Sequence, residues 1–266
     1  MSNTMCTKIT LSTLILSAFA SSVCQAEPGY FLLGVSGGYA ARSSNVSATV
    51  TYTNPAAQFA TIPPSNVIED YDDNGPTYGV FAGYQARCEN WLLGGELSVD
   101  FEKIDELHPF AFSDVGAANG TNGLGWNGSF KYKRDYSIGF SLRMGYEFES
   151  LMLFVPPVYL PYLRAGVEMS KDTLEATYQG NNVVYPFSTS STYRKWPYRF
   201  FAGAGCEFPI LNPHASIRFE YLYHSSGQTV ETQSSIIDNG IVNPTFNTAM
   251  DPIIQSVKIA LVWNLN

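Results

Sequence analysis

Hydrophobic and polar side chains alternate along most of this chain with a period of two. Between 91 and 102, Trp91, Leu93, Gly95, Leu97, Val99 and Phe101 share one face, and Leu92, Gly94, Glu96, Ser98, Asp100 and Glu102 share the other. Between 215 and 224, Ala215, Ile217, Phe219, Tyr221 and Tyr223 alternate with Ser216, Arg218, Glu220, Leu222 and His224. Successive side chains of a strand point to opposite faces, so each stretch predicts a strand with one greasy and one charged side. Eight strands are predicted in this way, at 30–42, 77–87, 91–107, 130–148, 160–178, 193–208, 215–228 and 253–265.

The apolar phase holds the aromatic residues and the polar phase the ionised ones. A soluble sheet turns its apolar phase to a core and its polar phase to water. A bilayer favours the reverse, with apolar, aromatic-flanked positions against lipid and polar groups inside a cylinder. Hydrocarbon offers no partner to a backbone N–H or C=O, so strands cross it only when the sheet closes on itself. The predicted fold is therefore all-β: an eight-stranded antiparallel up-and-down transmembrane β-barrel.

Connections 88–90 and 209–214 are short, whereas 43–76, 108–129, 179–192 and 229–252 are long and polar. Short turns belong to the periplasmic end and long loops to the outside, so four extracellular loops are predicted. The connection 149–159 does not follow this rule, because Leu151, Met152, Leu153, Phe154 and Val155 are apolar and Pro156-Pro157 stops pairing. Its expected place is against the inner-leaflet interface.

Residues 1–26 have the composition of a signal peptide: Lys8, an apolar core over 11–20, and a small-residue end at Cys24-Gln25-Ala26. Residues 27–266 are then the mature barrel. The whole chain has 15 Lys and Arg against 23 Asp and Glu; loss of Lys8 leaves 14 against 23, a net charge of −9. So acidic a protein is a poor partner for nucleic acid. Cys88 and Cys206 continue the lipid-facing phase of the second and sixth strands. Those lie across the cylinder, too far apart for a bridge that needs Cα atoms within about 7 Å. Free thiols are expected.

The inward phases carry Arg87, Glu96, Asp100, Arg143, Glu147, Arg164, Glu168, Arg199, Glu207, Arg218, Glu220 and Lys258. Eight strands enclose just enough room for side chains, and buried charges persist only when paired, so a lumen closed by ion pairs is expected. The chosen cations are Arg143, Arg164 and Arg218, and the chosen anions Glu96, Glu147, Glu168 and Glu220.

Pro161-Tyr162-Leu163-Arg164-Ala165-Gly166-Val167-Glu168 and Phe201-Ala202-Gly203-Ala204-Gly205-Cys206-Glu207-Phe208, followed by Ile217-Arg218-Phe219-Glu220-Tyr221, resemble the strand texture of a known family. It is the small outer-membrane β-barrel family that includes opacity-type and OmpA-like membrane domains, and the likeness covers essentially the whole mature chain. The resemblance implies a monomer in the outer membrane of a Gram-negative cell, without catalysis or cofactor. Its partners would be the lipid bilayer, lipopolysaccharide and, through the loops, a host surface ligand. Family members usually end in an aromatic residue, whereas here Trp263 precedes the terminal Asn266 by three positions.

Other chemistry is weaker. Asp70, Asp72 and Asn74, ahead of Gly75, match the first half of a calcium loop, but Phe81 stands where a bidentate Glu is needed. An acidic turn is expected there, with weak calcium binding as the alternative. His224-Ser225-Ser226 is similar to the His-x-Ser element of outer-membrane lipid A deacylases, and with Glu231 it would make a hydrolase constellation. The strand phase, however, aims His224 and Ser226 at the lumen. Gly116, Gly120, Gly123, Gly125 and Gly128 lack the Lys of a phosphate loop, and His108 and His214 read as solvated loop residues. Tyr52, Phe59 and Phe246 are the loop aromatics expected to touch a partner. The leading reading is a non-enzymatic surface barrel, structural or adhesive; a lipid-modifying hydrolase and a narrow pore are the alternatives.

Overall fold

The computed structural model describes residues 29–53, 65–115, 124–149, 158–180, 187–211, 214–235 and 243–265. These form thirteen strands: β1 (Tyr30–Thr53), β2 (Ser65–Cys88), β3 (Trp91–Glu102), β4 (Leu107–Val115), β5 (Leu124–Tyr146), β6 (Phe148–Glu149), β7 (Val158–Gly180), β8 (Phe187–Lys195), β9 (Tyr198–Leu211), β10 (Ala215–His224), β11 (Val230–Ser235), β12 (Asn243–Met250) and β13 (Ile253–Leu265). Strands β1, β13, β10, β9, β7, β5, β3 and β2 are neighbours in that order. Strand β2 pairs back onto β1, from Tyr30↔Gln85 to Val50↔Ser65, and closes the eight-membered antiparallel ring.

The outer wall is apolar for only part of each long strand. On β1, Phe31, Leu33, Val35 and Tyr39 are exposed on the outside. From Ser43 onward the sense reverses: Ser43, Asn45, Ser47, Thr49 and Thr51 form the outer face, and Val46, Ala48 and Val50 are buried inside. On β7, Leu163, Ala165 and Val167 face out and Arg164, Glu168 and Asp172 face in. Further along, Lys171, Glu175 and Gln179 face out over a buried Leu174, Ala176 and Tyr178. On β5 the change coincides with a bulge between Arg134 and Ser137, which moves the buried phase from Tyr132 and Arg134 to Ser137, Gly139, Ser141 and Arg143. The same strands thus obey lipid at one end and water at the other.

Two aromatic belts bound the lipid-facing part. The lower belt includes Phe31 against Tyr84 (5.2 Å), Trp91 against Tyr146 (5.0 Å), and Phe148 between Tyr146 and Tyr159. The upper belt runs from Tyr78 to Phe101 (5.5 Å), Tyr136 (6.4 Å from Phe101) and Trp196 (5.6 Å from Tyr136). Trp91 and Phe101 are ten residues apart on β3. At roughly 3.3 Å per residue and a tilt of about 40–45°, that separation spans roughly 25 Å, the height of a barrel's apolar band.

Above the upper belt the ring divides. Strands β11, β12, β1 and β2 form one sheet, and β4, β5, β7 and β8 another. Among the described residues no backbone ladder joins β2 to β4 or β8 to β11. The two sheets face each other across an apolar core of Val46, Val50, Tyr71, Phe246 and Met250 from one side and Phe110, Phe130, Leu174 and Tyr178 from the other. Tyr178 stacks on Phe246 at 4.3 Å and its hydroxyl meets that of Thr248. A soluble sandwich therefore continues directly from the membrane barrel.

Several sequence-based expectations need correction. Residues 43–53 and 65–76, expected in a loop, are paired strand, as are 107–115 with 124–131, 179–180 with 187–188, and 230–235 with 245–250. They look like loops because their polar phase faces out, opposite to the membrane template. The Asp70–Gly75 stretch does not turn: it lies inside β2, with Asp70, Asp72 and Asn74 spread along its outer face opposite Asn45, Ser43 and Ala41. Extended spacing separates such residues by two strand positions each, so they cannot converge as a calcium loop does. Phe246 is fully buried in the sandwich rather than offered to a partner. Tyr52 pairs with Pro244 in the ladder, while Phe59 and the apolar run 151–155 lie outside the described residues. Cys206 is a free thiol.

Leu97→Arg, on the lipid-facing wall, should cost about 2–4 kcal/mol, and Thr49→Arg, on the outer wall of the sandwich, less than about 0.5 kcal/mol. Phe246→Ala should cost about 3–5 kcal/mol. Reversible urea unfolding in lipid vesicles measures all three.

Candidate functional site: the charged lumen

Within the membrane band inward positions of seven of the eight staves carry a network of matched charges. Arg218, on β10, reaches Glu96 of β3 at 2.9 Å and Glu207 of β9 at 3.2 Å. Arg143, on β5, donates to Glu207 and to Gln85 of β2. Arg164, on β7, reaches Glu220 at 2.9 Å, and Lys258, on β13, reaches Asp100 at 2.6 Å. Ser216 donates to Glu207 at 2.6 Å. Four cations therefore meet four anions, and Arg forks can satisfy two acceptors at once.

Aromatic rings fill the remaining volume and present their faces to the guanidinium groups. Tyr162 lies 4.8 Å from Arg143 and 5.5 Å from Arg218, and Phe81 lies 5.0 Å from Arg218. Both rings need glycine beneath them. A Cβ at Gly34 would come within 2.2 Å of Phe81, and one at Gly205 within 2.3 Å of Tyr162. The gap left between Ser36, Phe81, Ser98, Arg164, Arg218 and Lys258 measures about 10 Å³, the space of one water.

A second network lies above the first. Glu102 accepts from Arg42 at 2.6 Å and from Arg134 at 2.9 Å. Arg134 also reaches Glu168 at 2.7 Å, where His224 Nδ1 approaches to 2.9 Å. Arg199 reaches Asp172 at 2.7 Å, and Tyr132 donates to the same carboxylate at 2.5 Å. In the sandwich, burial pushes the phenols of Tyr71 and Tyr132 well above their ordinary pKa, so both remain donors. The apolar sandwich core sits over this layer.

The sequence-predicted residues distribute as follows. Glu96, Asp100, Arg143, Arg164, Glu207, Arg218, Glu220 and Lys258 meet in the lower network, and Glu168 and Arg199 in the upper. Arg87 and Glu147 instead pair with each other at 2.6 Å at the half-exposed rim. Arg42, Glu102, Arg134 and Asp172 carry half of the upper network and had been passed over. Arg42 sat at an assumed strand end, and the β5 bulge hid Arg134 from a strict period of two. The hydrolase constellation does not assemble: His224 turns Nδ1 to Glu168 and stacks on Phe201 at 5.3 Å, while Glu231 is exposed on the outer face. His214 is exposed in its turn.

The model of the outer membrane protein beta-barrel domain matches residues 10–247. The chain belongs to this family. Its fold is that of an outer-membrane barrel, embedded in the lipid bilayer. Among solved structures, Neisserial surface protein A is similar at 12% identity over 89% of this chain and 99% of that chain, with a TM-score of 0.36. OprG from Pseudomonas aeruginosa is similar at 16% identity over 88% and 96%, with a TM-score of 0.38. Ail of Yersinia pestis is similar at 13% identity over 86% and 99%, with a TM-score of 0.27. No curated protein matches the sequence.

Arg218→Ala leaves Glu96 and Glu207 short of a counter-charge in the interior and should destabilise the barrel by about 3–5 kcal/mol. Lys131→Ala, which breaks the exposed pair with Asp105 (3.0 Å), should cost less than about 1 kcal/mol. Comparing the two by urea titration in vesicles separates buried from surface ion pairs.

Proposed function

We propose that this protein is a monomeric, non-enzymatic surface barrel whose sandwich, rather than its lumen, does the work: it carries a binding surface clear of the membrane. The reading rests above all on the doubly filled lumen, in which seven cations are matched by seven anions below an apolar core. A conducting pore would need that network dismantled, and leaving a buried charge unpaired is costly. In this reading residues 1–26 are removed on export, the tight turns and both mature ends face the periplasm, and the sandwich projects outward. Strand β1 continues fourteen residues past Tyr39, about 33 Å at the same tilt, enough to raise its tip above the headgroups.

Lipopolysaccharide is the proposed partner at the outer leaflet. Just beyond Tyr136 and Trp196, the outer face of β5, β7 and β8 carries Lys131, Lys133, Lys171 and Arg194. Phosphate-rich headgroups would lie at that level, and Lys and Arg are suited to them. An adhesive role falls to the outer surface and tip of the sandwich.

Wild-type protein in a planar bilayer should show no steady conductance; a large, stable current would replace this reading with a pore. Changing Lys133, Lys171 and Arg194 together to Gln should lower the lipopolysaccharide that copurifies with the barrel without reducing its folded yield. Unchanged lipopolysaccharide would remove this patch from the reading. Attachment of otherwise non-adherent cells displaying the barrel tests the adhesive role, and attachment no greater than that of cells displaying an unrelated barrel would remove it.

A further inference from the structure

The seam between β2 and β4, where the two sandwich sheets meet without a backbone ladder, brings together three potential ligands. Asp73 projects inward from β2, Glu106 lies immediately before β4, and His108 is on β4; one ligand atom of each lies within 4.8 Å of the other two. We propose that Asp73, Glu106 and His108 form a zinc-class metal site that clips the two sheets together across this seam.

The histidine is the reason to read a site rather than a chance cluster. It is not a solvated loop residue: its ring lies 4.7 Å from Tyr71, edge to face, and stacks on Phe130 at 5.5 Å. Its Nε2 is shielded from solvent and has no hydrogen-bond partner among the described residues. Buried ring nitrogens are normally satisfied. These two ring contacts hold the imidazole, which limits the reorganisation that binding would require.

Asp73 is held in a similar way. Its carboxylate accepts from Tyr71 at 3.0 Å and from the backbone N–H of Asn74 at 2.7 Å. Each oxygen keeps a second lone pair, so acceptor capacity remains for a cation. Such outer hydrogen bonds are what orient metal-binding carboxylates. The nearby cation Arg42 binds Glu102 through Nε at 3.1 Å and Nη2 at 2.6 Å, and only its Nη1 is without a hydrogen-bond partner among the described residues. Glu106 is exposed and free to swing inward.

One imidazole nitrogen and two carboxylates suit a borderline ion such as Zn²⁺, with bonds of about 2.0–2.2 Å and a water completing the tetrahedron. Ca²⁺ prefers six to eight oxygens and finds too few here. The seam supplies the physical role. On the opposite side, β8 and β11 are joined by hydroxyl pairs, Thr189 with Ser234 at 2.7 Å and Thr232 with Ser191 at 2.9 Å. The β2–β4 side has Asp73, Glu106 and His108.

The test uses the untagged chain folded in lipid vesicles, stripped with chelator and titrated calorimetrically with Zn²⁺ and with Ca²⁺. The expected result is one Zn²⁺ per chain, no comparable Ca²⁺ binding, and a higher unfolding midpoint with Zn²⁺ than without. Glu106→Gln and His108→Gln should each weaken Zn²⁺ binding by more than about tenfold, the lower end of what even an outer-shell change costs. His214→Gln should leave it unchanged. Because Glu106 is exposed, its variant decides the matter if His108→Gln fails to fold. Absence of Zn²⁺ binding by the wild type, Ca²⁺ binding of equal strength, or full binding by Glu106→Gln would overturn the proposal.

Discussion

Hydrocarbon cannot hydrogen-bond a peptide group, and the rest of this structure follows from that constraint. It forces β2 to return to β1 and close the ring, because an open edge would strand a row of donors and acceptors in lipid. Closure with eight staves leaves an interior only wide enough for side chains. That interior has no water to spare, so the inward phase must be either apolar or matched in charge. Through the band and just above the upper aromatic belt the chain relies mainly on matched charge, and farther out on apolar side chains.

The change of solvent along one strand explains both the sandwich and the ion pairs. In the band, lipid takes the apolar face of β1 and β7, leaving the lumen to Arg164, Glu168 and their partners. Outside the band, water takes the polar face, and the apolar phase is released inward to make the core around Tyr178 and Phe246. A cylinder surrounded by water does not need to be closed by backbone pairing at every point, because an unpaired edge can be solvated. The ring accordingly opens into two sheets at the β2–β4 and β8–β11 seams only after it leaves the lipid. Side chains then meet across the seams: hydroxyl pairs on one side, and the Tyr71 and His108 rings on the other.

The barrel was legible in the sequence because lipid imposes a strict rule, and Trp91 to Phe101 or Ala215 to His224 obey it without interruption. The lower charge network was legible for the same reason, since Glu96, Arg218 and Glu220 fall on one phase. The sandwich was not. Residues 43–53 alternate as regularly as the membrane segments but with the opposite sense, and 65–76 alternate only loosely, with Ile68 outside and Asp73 inside, so a template that expects apolar side chains outside reads both as loop. Phe246 and His108 were misplaced by the same inversion. Arg134 was lost to the β5 bulge, a single inserted residue that exchanges the two faces. The pairing of Glu168 with Arg134 and His224 depends on stagger around the ring, which a one-dimensional pattern does not encode.

The most direct test of the two-solvent account is the accessibility of spin labels placed one at a time along the outer face of β1, in a Cys88→Ser, Cys206→Ser background and in lipid vesicles. Labels at Leu33, Val35 and Tyr39 should collide with oxygen, which concentrates in the bilayer, and labels at Ser43, Ser47 and Thr49 with a water-soluble nickel chelate, the exchange falling between Tyr39 and Ser43. Oxygen-dominated collisions continuing through Ser47 and Thr49 would contradict the inversion, and with it the sandwich.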